Sequence, residues 1–111
     1  MNDNQSPQEV FELLQRDLIE IHALTKEKLS NENWPRIIKL TGQIYQYAQK
    51  IQKNLKDPFK SKLLGLIEDF EDYNLNTDPT ERRSFQQYLL KNLDQVIANI
   101  DHAFTKRKKA A

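Results

Sequence analysis

The sequence predicts an all-α protein, an antiparallel up-down four-helix bundle. Three observations predict it: apolar residues recur every three or four positions in four segments, a proline marks the start of each segment, and the connections are short. The chain has only two glycines and no stretch of β-type alternation, which argues against a sheet protein. Short connections make successive helices antiparallel neighbours. The alternative is a pair of helical hairpins that complete their core by dimerising.

The first helix is predicted over 7–29. Ser6, Pro7 and Glu9 form a capping box, in which a hydroxyl and a carboxylate satisfy backbone N–H groups that have no partner inside the helix. The apolar positions that follow keep a helical spacing. They are Phe11, Leu14, Leu18 and Ile21, flanked by Val10, Leu13 and Leu24.

The second helix is predicted over 34–55, with Asn31 or Asn33 as its cap and Pro35 in its first turn. Its inward positions step by three and four without a break. They are Trp34, Ile37, Thr41, Ile44, Ala48, Ile51 and Leu55. Gly42 interrupts this helix and Gly65 interrupts the next, so we expect each glycine to allow a close helix–helix approach.

The third helix is predicted over 58–74, with Asp57 as its cap and Pro58 as its first residue. When Phe70 is placed at the centre of the buried face, four apolar residues fall within about 60° of it on the helical wheel, and they are Leu63, Leu66, Ile67 and Tyr73. Four carboxylates lie about 100° or more away, and they are Glu68, Asp69, Glu71 and Asp72. We therefore expect a solvated acidic face, with docking of a basic partner as the functional alternative and no metal site.

The fourth helix is predicted over 79–105. Asp78, Pro79 and Glu81 repeat the start signal of the first helix. Its inward positions are Phe85, Leu89, Leu93, Val96, Ile100 and Ala103. A second stripe, at the edge of this arc, recurs every seven residues and comprises Leu90, Ile97 and Phe104.

At 111 residues the chain is long enough for one domain, predicted over 7–105, with a disordered N-terminus at 1–6 and a basic tail at 106–111. Charge alternates along it: acidic over 1–25, basic over 26–62, acidic over 63–81 and basic again to the end. Such blocks suit antiparallel neighbours that attract across their flanks. There is no cysteine, no apolar run of membrane-spanning length and no signal peptide, so a cytoplasmic location is expected.

The sequence contains no catalytic signature. It has no G-x-S-x-G, no glycine-rich phosphate loop and no H-E-x-x-H, and neither His22 nor His102 follows a glutamate at metal-ligand spacing. The basic residues lack interleaved aromatics, which argues against nucleic-acid binding. We expect no enzyme activity and no cofactor.

Protein contacts are the predicted mode of action. The candidate partner-binding residues are the Leu90, Ile97 and Phe104 stripe, together with Ile38, Tyr45 and Trp34 on the second helix. Each stripe is equally explained by packing against a second helix of the same bundle. The partner is another protein or a second copy of the chain.

The layout of short helices with aromatic-rich faces is broadly similar to the small export chaperones of bacterial secretion and flagellar systems. The resemblance implies a non-catalytic adaptor, assembly factor or export-type chaperone. The alternative is a regulatory bundle that holds a small molecule between its helices, where Thr41, Tyr45 and Tyr73 would supply inward hydroxyls.

Overall fold

The computed structural model describes residues 6–73 and 78–104, which form the predicted four-helix bundle. The helices are α1 (Pro7–Glu27), α2 (Trp34–Lys50), α3 (Phe59–Asp72) and α4 (Pro79–Ala98). α1 packs on α2 and α4, and α3 packs on the same two helices, so the bundle closes into a ring. The predicted disorder at the N-terminus, except for residue 6, and the predicted basic tail lie outside the described residues.

The helices are shorter than predicted at their C-terminal ends. α2 gives way to a 3-10 turn at Gln52–Asn54, and α4 to another at Ile100–His102. These turns bring Leu55 and Phe104 together in an isolated β-bridge. The Lys56 N–H also donates to the Ala103 carbonyl at 2.7 Å, which ties the end of the described chain to the α2–α3 connection.

The predicted capping box is confirmed in full at α1, and at α4 the bond from the third helical residue to the cap is confirmed. The Ser6 hydroxyl accepts from the Glu9 N–H at 3.2 Å, and the Glu9 carboxylate accepts from the Ser6 N–H at 3.0 Å. At α4, Asp78 accepts from the Glu81 N–H at 3.0 Å. Each interaction satisfies a backbone donor that the helix itself leaves free.

The caps of α2 and α3 differ from the prediction. Asn33 stands at the cap position of α2 but makes no capping bond there; its amide donates backwards, to the Lys28 carbonyl at 2.5 Å and the Leu24 carbonyl at 3.4 Å. It therefore closes the end of α1. α3 begins at Phe59, one residue later than predicted, and the Asp57 carboxylate accepts from both the backbone and the hydroxyl of Ser61.

One continuous apolar core is completed within the chain by residues from all four helices. The inward positions predicted for α2 are buried except for the half-buried Trp34, and Phe59 and Phe70 are the largest fully buried side chains. None of the helices among the described residues is long and apolar enough to cross a membrane.

The expectation that the glycines allow close helix packing is wrong. A Cβ built on Gly42 or on Gly65 would meet no atom within 4 Å. Both positions face open space on the bundle surface. Neither glycine is therefore explained by the packing of this fold.

Candidate functional site

An uncharged, exposed row runs along α2. Ile38, Gly42, Tyr45 and Gln49 follow one another at spacings of four, three and four, so they share one side of the helix. All four are exposed, including Ile38 at 37% and Tyr45 at 43%. We call these four residues the α2 row. Two large apolar side chains thus flank a glycine whose Cβ position is empty.

The four carboxylates of α3 lie where the helical wheel predicts, away from Phe70. Glu68, Glu71 and Asp72 are exposed. Asp69 is half-buried and accepts from the Asn92 amide of α4 at 3.4 Å. The acidic face is therefore divided, because Asp69 belongs to the α3–α4 seam.

Glu71 follows Leu64 by seven residues, which places both on the side of α3 opposite its seam with α4. Glu68, four residues after Leu64, lies about 60° from Glu71, on the side of α3 away from Phe70. Trp34 contacts Phe70, with ring centroids 6.1 Å apart, so the N-terminal end of α2 meets the C-terminal part of α3. The Ile38 end of the row is therefore nearer to Glu71, and the Tyr45 end is nearer to Leu64.

Lysines flank the other side of the row. Lys39 and Lys50 each follow a row residue by one position, which places them about 100° further round α2 and away from α3. Both are exposed. The row is thus bounded by acids on one side and by bases on the other.

The structure places the Leu90, Ile97 and Phe104 stripe at the seam between α4 and α1. Leu90 and Ile97 are half-buried and lie on the same side of α4 as Asp94, which contacts His22 of α1 at 2.8 Å. The Phe104 ring stacks on Phe11 of α1, with centroids 4.7 Å apart. Much of this stripe is therefore covered by the chain itself.

Trp34 is likewise engaged inside the bundle rather than exposed with the α2 row. Its ring lies 5.3 Å from that of Tyr73, edge to face, and 6.1 Å from that of Phe70. Tyr73 stacks on Phe85 at 4.0 Å, and Phe85 contacts Tyr88, which is 48% exposed. A chain of aromatic contacts thus closes one end of the bundle. Of the rings in this chain, that of Tyr88 is exposed, and the others are buried or half-buried.

The core cavity beside Thr41 and Phe70 offers little room for a ligand. Its volume is about 10 Å³, roughly the space of one water molecule. The Thr41 hydroxyl donates to the Ile37 carbonyl at 2.8 Å. Tyr45 lies on the surface, so the three hydroxyls suggested for an internal site are not brought together.

One buried carboxylate was not predicted from the sequence. Asp17 on α1 has a side chain only 3% exposed, and its Oδ2 has no hydrogen-bond partner. Its Oδ1 lies 3.8 Å from Nε of Arg16, whose side chain is 69% exposed. Burial raises the pKa of Asp17 above its ordinary value of 3.8, against the opposing pull of Arg16. The signal was available, since Asp17 stands three residues after Leu14 and four before Ile21, both core positions.

Only part of the predicted attraction between charged blocks takes the form of ion pairs. Arg36 of α2 donates from two nitrogens to one oxygen of Glu20 on α1, at 2.9 and 2.6 Å. His22 and Asp94 join α1 to α4. Within residues 6–73 and 78–104, no group of three or more histidines and carboxylates could hold a metal ion.

No family model matches the chain, and no curated protein or solved structure matches it at a significant level. A function for this chain is therefore inferred from the surface of the molecule itself.

Proposed function

We propose that the protein is a non-catalytic interaction module that docks an amphipathic helix of a partner protein on the α2 row. The observation that carries the proposal is the exposure of Ile38 and Tyr45 on either side of Gly42, in a row that contains no charge. Exposed apolar side chains lower the free energy of association when a partner covers them. Adaptors, assembly factors and export-type chaperones act through surfaces of this kind.

The glycine supports a helical occupant. Glycine in a helix interior costs about 1 kcal/mol relative to alanine, and no contact within the bundle requires it at position 42. A small residue between two larger ones lets the backbone of a second helix approach closely. The partner helix would then set its own side chains around Ile38 and Tyr45, in the helix-in-groove mode.

The charges define the occupant further. Glu68 and Glu71 on one flank favour a partner helix with lysines or arginines along that edge, and Lys39 favours acids along the other. A second copy paired through α2 in an antiparallel two-fold arrangement would set Glu68 and Glu71 against their own counterparts. That repulsion favours a different chain as the occupant, whereas a parallel pairing of two copies is the competing arrangement.

The test is site-specific photocrosslinking. A benzophenone amino acid is placed at position 45, and at position 88 as a matched control, since Tyr88 is an equally exposed tyrosine on another helix. The expected result is a discrete crosslink from position 45 to a basic-edged amphipathic helix, absent at position 88. Ile38→Glu and Glu71→Lys should each abolish or weaken it while leaving the fold intact, because both residues are exposed.

Two results would overturn the proposal. If positions 45 and 88 crosslink to the same set of proteins, the α2 row has no selectivity. If light scattering shows a dimer of the wild-type chain that Ile38→Glu splits, the row is a self-association surface instead. The mass of the Ile19→Glu variant, altered at an exposed isoleucine on α1, controls for the added charge.

A further inference from the structure

A cleft lies at one end of the bundle, between the last turn of α1 and the first two turns of α4. Its volume is about 550 Å³, within the range of small-molecule sites. Of the residues that the structure describes, Lys28, Arg82 and Arg83 line it together with Gln86 and one carboxylate, Glu27. We call it the α1–α4 cleft. It is separate from the α2 row and independent of the proposed function.

The α1 wall of the cleft is held in place by hydrogen bonds. The Asn33 side-chain amide donates to the backbone carbonyl of Lys28 at 2.5 Å. The Ser30 hydroxyl and N–H both donate to the Asn33 side-chain oxygen. Leu29, 1% exposed, anchors the same turn in the core. The backbone that carries Lys28 is therefore ordered before any ligand arrives.

The α4 wall is fixed in a similar way. Asp78 caps the helix through the Glu81 N–H, and the Gln86 amide donates to the Thr25 carbonyl of α1 at 2.7 Å. Arg82 and Arg83 stand between these two fixed points. Binding would therefore cost little reorganisation of the backbone, which is the condition for selective recognition by a small site.

Among the described residues of the lining, the two exposed cations Lys28 and Arg83 outnumber the one carboxylate, Glu27. Guanidinium groups bind phosphate oxygens through paired N–H donors, and lysine adds a mobile point charge. Glu27 would compete with a singly charged anion, so the cleft favours a ligand with two or more negative charges.

We infer that the α1–α4 cleft binds a small phosphate-bearing ligand carrying at least two negative charges. Inorganic pyrophosphate is the probe. In ¹H–¹⁵N spectra of the full chain, saturable shifts are expected on both walls, around residues 26–30 and 79–87. The affinity should fall at least tenfold in the variant with Lys28→Gln and Arg83→Gln, which removes two exposed cations of the cleft.

The matched control is the variant with Lys50→Gln and Lys53→Gln, which loses the same charge from exposed positions at the other end of α2, roughly 25 Å along the helix from the end that adjoins the cleft. It should bind pyrophosphate within about twofold of the wild type, because charges farther away than a Debye length of about 10 Å are screened at 0.1 M salt. Equal loss of affinity in the two variants would mean non-specific attraction and overturn the inference. Shifts spread over the whole chain, or no saturable binding, would do the same.

A second arm separates a free ligand from a lipid headgroup. Phosphatidylcholine vesicles with and without a phosphoinositide are sedimented with each variant. Co-sedimentation that requires both the phosphoinositide and the Lys28 and Arg83 cations supports a headgroup as the source of the phosphate. Pyrophosphate binding without co-sedimentation supports a soluble ligand in the same cleft.

Discussion

Replacing Asp17 with asparagine is expected to stabilise the fold at neutral pH. The carboxylate is almost fully buried, and one of its oxygens has no hydrogen-bond partner. Arg36 cannot compensate fully, because two of its nitrogens already bond Glu20. An unsatisfied buried polar group costs about 1–3 kcal/mol, and more when it carries a charge. The amide has nearly the same shape and no charge, so it should recover the part of the cost that is due to the charge, on the order of 1 kcal/mol.

The pH dependence gives this prediction its sign. The pKa of Asp17 is higher in the folded state than its ordinary value of 3.8. At a pH just above 3.8 the Asp17 carboxyl therefore keeps its proton in the folded chain and loses it in the unfolded chain. This group therefore lowers stability as pH rises from 3.8 through the folded pKa, and the full penalty remains at higher pH. The difference between the variant and the wild type should be near zero at the acidic end and largest at neutral pH.

Thermal unfolding across this pH range is the assay. For a domain of this size, 1 kcal/mol corresponds to about 4 °C in Tm, so the expected rise at neutral pH is measurable. Asp72→Asn, at an exposed position of α3, is the control and should change Tm little. A variant that is less stable than the wild type at neutral pH, or a difference independent of pH, would show that Asp17 is well paired and refute the reasoning.

Three further predictions concern packing. Phe70→Ala should lower the free energy of unfolding, measured by chemical denaturation, by about 3–5 kcal/mol, because it empties a fully buried site. Glu68→Ala on the exposed face should change it little, and a small loss at position 70 would mean that a different face of α3 is buried. Gly42→Ala should raise it by up to about 1 kcal/mol, since the added Cβ meets no atom within 4 Å; a loss of stability would reveal a hidden steric conflict. Ile97→Glu should lower Tm without changing the mass measured by light scattering, because Ile97 lies at the α1–α4 seam; an unchanged Tm would place it on a free surface.

Much of the fold was predictable because its determinants are local. The N-termini of α1 and α4 are capped by contacts between residues three positions apart, Ser6 with Glu9 and Asp78 with Glu81. Such contacts do not depend on the rest of the fold. The inward faces follow from apolar spacing alone, as for Phe70 and its neighbouring carboxylates. Asn33 and Asp57 were harder, since each side chain had several backbone groups within reach and the packing of the ends of α1 and α3 selected among them.

The candidate sites were predictable only in part. Helical spacing identified both the Ile38 and Tyr45 row and the Leu90, Ile97 and Phe104 stripe, as apolar residues at the margin of a buried arc. It did not distinguish them, because a margin is covered or exposed according to which helix lies next to it. The α1–α4 cleft was not foreseen at all, since Lys28 and Arg83 are 55 positions apart in the sequence and meet only when α4 packs on α1.

The sequence by itself determined the class of fold, the starts of α1 and α4 and most residues of the core, because caps and apolar periodicity act over three or four residues. The tertiary structure alone decided which apolar margin stays exposed, that Asp17 is buried without a full set of partners, and that a cleft rich in positive charge forms between the ends of two helices. The physical reason is that exposure, desolvation and the sum of charges around a site depend on neighbours distant in the chain, and only the packed bundle specifies those neighbours.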